Sequence, residues 1–274
     1  MGNELHPKKV KITKLEQMSS NVKLFRLKPV GWEFPVGKDG LVFNPGQFVL
    51  AGIWGYGEAP FGPASSPFER GFIEIGVRVV GNVTTALHRL KEGNEMTLRG
   101  PYGNGYPLDF FAGKDLVFVT GGCGIPPIAS LIEYVIAQRE RFGRVYLLYG
   151  ALSPKDLLFE RRYKRWGESI KVILTVDKPA PTWKGRVGLV SELTREIDIK
   201  PRNTAAAMCG PGPMTAALEN ILRPLGISDR RIFVSEERRM NCGIGKCQHC
   251  TTGDKYVCLD GPVFYYDQVQ GNWD

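Results

Sequence analysis

The first hundred or so residues carry short apolar runs over 22–27, 46–51, 71–80 and 96–98, broken by the turn signals Pro45-Gly46, Gly62-Pro63, Gly93-Asn94 and Gly100-Pro101. Short strands at this spacing predict an antiparallel β-barrel. One helix interrupts it, starting near Thr84 and running to about Lys91, with Leu87 and Leu90 on one face. The pattern changes at Asp115. Residues 116–120 form a continuous apolar run, as a strand buried on both faces requires, and the run ends in Gly121-Gly122 ahead of a helical stretch over 127–139. Further strands over 144–149, 171–176 and 204–208 alternate with helices over 157–166, 188–196 and 213–222. Such alternation predicts a parallel sheet covered on both faces. From Glu236 onward the chain is rich in Gly and Cys with little periodicity, so something other than a hydrophobic core must organise it. Three parts are therefore expected: a β-barrel over 1–112, an α/β parallel-sheet domain over 113–235 and a cysteine-bearing tail over 236–274.

Length and composition agree with this division without adding to it: 274 residues exceed one average domain, and 43% hydrophobic with 23% charged residues is ordinary for a globular protein. No run of about 18 apolar residues occurs, and Lys8 and Lys9 have no apolar segment behind them, so neither a membrane span nor a signal peptide is expected. The net charge of +8 suits several acidic partners. Its densest run, Arg161–Arg165, reads as a solvated helix face, and no nucleic-acid-binding module accompanies it. The three histidines, His6 in an N-terminal arm, His88 in the barrel helix and His249 among the cysteines, have no partner acid in an evident dyad.

Four of the six cysteines crowd into one stretch, Cys242, Cys247, Cys250 and Cys258, with four, two and seven residues between them. This clustering reads as metal ligation in a reducing, cytoplasmic compartment. The first three follow plant-type 2Fe-2S ferredoxin spacing, and Gly243 and Gly245 allow the backbone to take positive φ and aim amides at sulfur. Structural zinc on four thiolates is the competing reading, although zinc knuckles usually pair short spacings.

Two further turns carry binding chemistry. Gly121-Gly122-Cys123-Gly124-Ile125-Pro126-Pro127 follows a buried strand and opens a helix, which suits a dinucleotide pyrophosphate at a helix N-terminus. Cys209-Gly210-Pro211-Gly212-Pro213-Met214 lies at the end of a later buried strand, and the carboxyl ends of parallel strands form one ligand crevice.

These two turns and the cysteine tail, in that order, resemble the ferredoxin reductase superfamily. More narrowly, the chain is similar to the flavin and iron-sulfur electron-transfer subunits of sulfhydrogenase (its gamma subunit), anaerobic sulfite reductase and dihydroorotate dehydrogenase. The resemblance implies an FAD-binding barrel, an NAD(P)-binding domain and a 2Fe-2S tail on Cys242, Cys247, Cys250 and Cys258. It further implies that Gly81, Val83 and Thr84 surround the FAD pyrophosphate, that Phe61 flanks the isoalloxazine and that Ser65 or Ser66 hydrogen-bonds it. Ala59 stands where the family's flavin motif usually has arginine. Gly122, Gly124 and Pro126 would line the nucleotide pyrophosphate, with Cys209 beside the nicotinamide and Gly210 and Met214 shaping its pocket. Leu152 stands where many members carry arginine; Lys178, Lys184 and Arg186 are the cations nearest in sequence to a ribose phosphate. The function implied is that of an NAD(P)H-dependent oxidoreductase component. It would pass electrons between NAD(P)H, FAD and the cluster to or from the catalytic and iron-sulfur subunits of a larger complex. A freestanding reductase of ferredoxin and a non-catalytic redox-sensing module remain the alternatives.

Overall fold

Lysines alternate with Val10 and Ile12 at the start of the chain, and this period of two makes Lys8–Ser19 a strand, β1, with both apolar side chains fully buried. Its apolar residues stand singly between lysines, so a search for apolar runs passes over it. The computed structural model describes residues 5–269, apart from the side chains of 218 and 219. β2 (Val22–Pro29), β3 (Phe48–Ile53), β4 (Gly57–Phe61), β5 (Ile73–Arg78) and β6 (Glu95–Tyr102) join β1 in one antiparallel sheet of order β4-β3-β6-β1-β2-β5. The chain leaving β4 then comes round to β5: Pro63 bridges Ile75, and the Ala64 N–H donates to the Glu74 carbonyl at 2.7 Å. Val10, Ile12, Phe25, Leu27, Val49, Ile73 and Ile75 fill the interior, each worth roughly 1.5–3 kcal/mol by its burial.

Helix α1 (Asn82–His88) lies between β5 and β6 and starts two residues before the expected Thr84. The Thr84 hydroxyl accepts from the Val80 and Gly81 N–H groups and donates to the Gly81 carbonyl, closing the turn ahead of the helix. His88 is a packing residue; its Nε2 is 2.8 Å from the Val77 carbonyl.

The parallel sheet follows a short helix, α2 (Leu108–Phe111). Its elements are β7 (Asp115–Gly121), α3 (Ile125–Ala137), β8 (Val145–Ala151), α4 (Glu160–Gly167), β9 (Lys171–Val176), β10 (Arg186–Val187), β11 (Thr204–Cys209), α5 (Gly212–Ala216), α6 (Leu218–Ile221) and β12 (Ile232–Ser235). The strand order is β10-β9-β8-β7-β11-β12, with one more strand at the β12 edge. Every residue of β7 and β11 is buried, as their unbroken apolar runs require.

Two expected helices differ. Residues 190–196 form a 3-10 helix rather than an α-helix; Ser191 and Thr194 supply the reason, since the Thr194 hydroxyl donates to the Ser191 carbonyl at 2.6 Å and competes for the backbone. The stretch over 213–222 divides into α5 and α6, where the Asn220 N–H takes the carbonyl of Ala217, three residues back, at 2.9 Å. The tail adds a two-stranded ribbon, β13 (Thr251–Thr252) with β14 (Lys255–Tyr256), then α7 (Val257–Asp260), β15 (Val263–Tyr265), which completes the parallel sheet's edge, and α8 (Tyr266–Val269).

Two units result. One holds the residues up to Tyr106 with Ala129–Tyr134 and Glu236–Val263; the other holds Pro107–Ile128, Val135–Ser235 and the residues from Phe264 on. The cysteine stretch therefore belongs with the antiparallel sheet. It also has apolar anchors that the sequence pattern hides: Met240, Val257 and Val263 are buried, and Asn104 holds its end. The Asn104 amide donates to the carbonyls of Asp260 (3.0 Å) and Val263 (2.7 Å) and accepts from the Val263 N–H (3.2 Å).

Candidate cofactor sites

In the cysteine loop the backbone is turned toward sulfur. Gly243 and Gly245 take φ of +77° and +73°, a region costly for residues with a side chain. The loop so formed sends three N–H groups, from Ile244 (3.4 Å), Lys246 (3.3 Å) and Cys247 (3.4 Å), to the Cys242 sulfur, and the Gly245 N–H to Cys258 Sγ at 3.1 Å. The side chain of Cys247 is hydrogen-bonded to Cys242 and that of Cys250 to Cys258. The four predicted ligands thus lie as two side-chain pairs in one loop region, none of them in a disulfide, and among the described residues no three of them are drawn together as a closed metal site. Burial pushes the Cys242 thiol up, but the N–H groups of Ile244, Cys247 and Lys246, with the Cys247 side chain, outweigh it and bring it down to about 6. Cys258 is pushed up to about 12, by burial first and then by its neighbour Cys250. Two cysteine pairs with amide donors at the sulfurs of Cys242 and Cys258 fit an iron-sulfur cluster, whose sulfurs accept such bonds.

Gly243 has a second role. A Cβ there would stand 3.0 Å from both Leu50 Cδ1 and Tyr102 Cδ2, so a glycine lets the loop lie on β3 and β6. Arg99 of β6 reaches the same place. Its Nη1 donates to the Cys242 carbonyl (2.7 Å) and to the Tyr102 hydroxyl (3.3 Å), its Nη2 donates to the Asn241 carbonyl, and its Nε pairs with Glu58 Oε2 at 2.7 Å. A cleft of about 590 Å3 opens beside Cys258, lined by Tyr102, Asn104, Gly243, Ile244, Lys246 and Leu259 among others.

In the other unit, the two expected nucleotide turns come together. A Cβ on Gly124 would sit 2.2 Å from the Cys209 carbonyl oxygen, one on Gly121 2.8 Å from Met214 Sδ, and one on Gly210 2.1 Å from Met214 Cε. Gly122, Gly124, Cys209, Gly210 and Met214 thus form one cradle at the carboxyl ends of β7 and β11, and Pro126 is buried in the first turn of α3. Cys209 is buried to 1% exposure. Sequence reasoning missed Tyr149 of β8 as a support for this cradle. Its hydroxyl donates to the Gly122 carbonyl and accepts from the Leu158 N–H, both at 3.1 Å. Of the three candidate cations, Lys178 is tied to the end of β8, where its N–H donates to the Leu152 carbonyl at 2.9 Å, whereas Arg186 is paired with Glu196.

The flavin candidates fall in the first unit. Phe61 is half-buried at the end of β4, and a Cβ on Gly57, where β4 begins, would lie 3.7 Å from Val83 of α1. Ser65 is buried and its hydroxyl accepts from the Glu74 N–H at 3.1 Å; Ser66 accepts from the Phe68 N–H at 3.3 Å. Both hydroxyls therefore already shape the loop, each with its proton and a second lone pair left for a ligand. Thr84 is engaged with Val80 and Gly81, so the orphan amides of Asn82 and Val83 are the first-turn donors left free of it.

Sequence models of known families match this layout: the oxidoreductase FAD-binding domain over residues 9–106, the oxidoreductase NAD-binding domain over 118–220, and the iron-sulfur cluster binding domain of dihydroorotate dehydrogenase B over 237–270. Fold and sites thus define an FAD- and NAD-binding oxidoreductase that carries an iron-sulfur loop, and the last match sets aside the zinc reading of the cysteines. The chain is 39% identical over 270 residues to sulfhydrogenase 1 subunit gamma of Pyrococcus furiosus, covering 95% of this chain and 91% of that one. It is 34% identical over 264 residues to a probable dihydroorotate dehydrogenase B (NAD(+)) electron transfer subunit of Thermococcus kodakarensis, covering 96% and 97%. The chain belongs to the family of these sulfhydrogenase gamma and dihydroorotate dehydrogenase B electron transfer subunits. Among solved structures, a chain of an NADH-dependent reduced ferredoxin-NADP oxidoreductase shares its fold, with a TM-score of 0.73 at 23% identity over 96% of this chain and 92% of that one. Among the described residues, no helix is long and apolar enough to cross a membrane.

Proposed function

We propose that the chain carries electrons between NAD(P)H, FAD and a 2Fe-2S cluster, and exchanges them through the cluster with partner subunits of a larger oxidoreductase. The observation that carries this reading is the cysteine loop, where backbone N–H groups reach the sulfurs of Cys242 and Cys258 and the four cysteines lie as two pairs, in the same unit as the flavin-type sheet. The four-then-two spacing of the first three ligands favours the 2Fe-2S type. Flavin chemistry supplies the conversion between the two-electron hydride of a nicotinamide and the single electrons of a cluster.

The protein's own part is binding and alignment. The first-turn amides of α1 beside Gly81 and Val83 suit the FAD pyrophosphate, with Thr84 fixing the turn that presents them. Phe61 provides an apolar wall for the flavin ring, and Ser65 and Ser66 offer hydroxyl protons to its polar edge. In the second unit, Gly122 leaves the backbone bare for a nucleotide pyrophosphate, Gly124 lets the two turns close on each other, Pro126 stiffens the start of α3, and Cys209, Gly210 and Met214 border the nicotinamide. A partner is implied because the sites found are all cofactor sites, and because the matching relatives are named as subunits of sulfhydrogenase and dihydroorotate dehydrogenase B. The cleft beside Cys258 and the exposed Leu259, at 59%, suit a docking face at the cluster.

The test is composition with response. Chain purified without oxygen should release FAD on acid treatment, contain about two iron and two sulfide per chain, and bleach in its flavin bands on adding NADH or NADPH. Recovery of FMN, or of zinc in place of iron, would contradict the cofactor assignment.

A further inference from the structure

Among the described residues, the one charged pair that touches both the flavin-side strand β4 and the iron-sulfur loop is Glu58–Arg99, and no requirement of the sheet explains it. Arg99 pairs in register with Leu50 of β3, and Glu58 pairs with Gly52 of the same strand. The two side chains therefore reach toward each other diagonally across β3. Gly52 makes this possible: a Cβ there would stand 2.8 Å from Glu58 Cγ. Leu50 shares the face of Gly52, because alternate residues of a strand point the same way, and it meets Gly243 of the cysteine loop. The pair and the loop thus lie on one face of β3.

The pair is deeply placed, with side chains 7% and 20% exposed. It is also imperfect as a stabilising device. Glu58 Oε1 is buried and accepts no hydrogen bond among the described residues. Buried ion pairs of this kind are at best weak stabilisers, and apolar replacements often serve the fold as well. What an apolar residue cannot do is hold two carbonyls, and Arg99 holds those of Asn241 and Cys242. In a trans peptide the N–H points opposite to the C=O, so pinning these two carbonyls turns the N–H groups of Cys242 and Gly243 away from the guanidinium. The orientation of the loop around its first cysteine is thereby fixed from the flavin-side sheet.

We propose that Arg99 is the positioning residue of the iron-sulfur loop and, with Glu58, sets the reduction potential of the cluster. A fixed positive charge one peptide from a ligand sulfur stabilises the reduced cluster, which carries one more negative charge, and so raises its potential. Glu58 opposes this. Neutralising the two partners must then move the potential in opposite directions, which loss of order cannot imitate. The proposal rests on the reading of Cys242–Cys258 as an iron-sulfur site. An iron-free parent chain means failure of that reading, whereas a loaded parent with unmoved variants means failure of this one.

The experiment is a potentiometric titration of the anaerobically purified chain, followed by electron paramagnetic resonance, for the parent and for Arg99→Met, Arg99→Lys and Glu58→Gln. Arg99→Met is expected to lower the midpoint potential and Glu58→Gln to raise it. Arg99→Lys keeps the charge but has one nitrogen for both carbonyls, so its potential should stay near the parent's while iron passes to a chelator several-fold faster. If Arg99→Met does not retain its cluster, the other two variants decide. Potentials that shift in the same direction for Arg99→Met and Glu58→Gln, an unmoved potential in Glu58→Gln, or parent-like iron release in Arg99→Lys would overturn the proposal.

Discussion

The turn at Gly121–Gly124 and the loop from Cys242 to Cys250 both rely on closely spaced glycines, but for different physical reasons. In the first, space decides at Gly124, which lies so close to the Cys209 carbonyl that no side chain fits, and only Gly122 takes a positive φ, of +51°. Its order comes from two wholly buried strands and from Tyr149, all within the same α/β unit. In the second, direction decides at both glycines: positive φ at Gly243 and Gly245 turns amides onto sulfur, and Gly243 also leaves room for Leu50 and Tyr102. That loop has few apolar residues of its own, while ordering a backbone costs roughly 1–2 kcal/mol per residue. It takes its order from outside, through Arg99 and the surface of β3 and β6, while Asn104 holds the segment that follows at Asp260 and Val263. One site is intrinsic to its fold; the other is borrowed from a neighbouring sheet and completed by its ligands.

Breaking the ligand set should have the largest effect. Cys247→Ser removes one of the four thiolates, and a site whose folding depends on its metal loses local order with it. Iron content and electron delivery to a one-electron acceptor should fall by about tenfold or more, while NAD(P)H-dependent bleaching of the flavin continues at close to the parent rate. Loss of flavin reduction in the same variant would mean that the two sites are not separable.

A substitution in the intrinsic turn should act the other way round. Gly124→Ala places a methyl against the Cys209 carbonyl, an overpacking that costs roughly 1–3 kcal/mol and should weaken nucleotide binding by about tenfold, the equivalent of about 1.4 kcal/mol. Calorimetric titration with NADH and NADPH, alongside flavin content, checks this. Equal loss of both ligands would point to a general folding defect.

The smallest expected effect concerns the root of the borrowed loop. Glu236 is buried, and burial pushes its carboxyl up to about 7 despite Arg238 at 3.4 Å. A carboxyl raised in the folded state stabilises the protein fully below its unfolded value, near 4.5, and that contribution is lost as pH climbs through 7. Glu236→Gln should therefore leave stability at pH 4 nearly unchanged and raise it at pH 8 by about 1–3 kcal/mol, measured by denaturant unfolding of the chain. A pH-independent change would contradict the burial argument.

The same contrast explains what the sequence made legible. β7, the Gly121–Gly124 turn and the Cys209–Met214 turn could be read because local patterns encode them: unbroken apolar runs followed by glycine at strand ends. The four cysteines were named as candidate ligands from spacing alone. β1 was not, because its single apolar residues between lysines do not form a run. Nor were Arg99, Glu58 and Asn104 as supports of the loop. Arg99 lies 143 residues from Cys242, and Asn104 lies 159 from Val263, so only the pairing of β3 with β4 and β6 brings such groups together. The 3-10 form of residues 190–196 was hidden for a different reason: the Thr194 hydroxyl competes with the helix for the Ser191 carbonyl.

The central claim, that electrons from a nicotinamide leave through the cysteine loop, is tested most directly by adding NADH or NADPH anaerobically to the purified chain and recording electron paramagnetic resonance at low temperature. The expected result is flavin bleaching together with the signal of a reduced 2Fe-2S cluster, which disappears in Cys247→Ser while the bleaching remains. Bleaching of the flavin with a fully loaded cluster that stays oxidised, with either nucleotide, would contradict it.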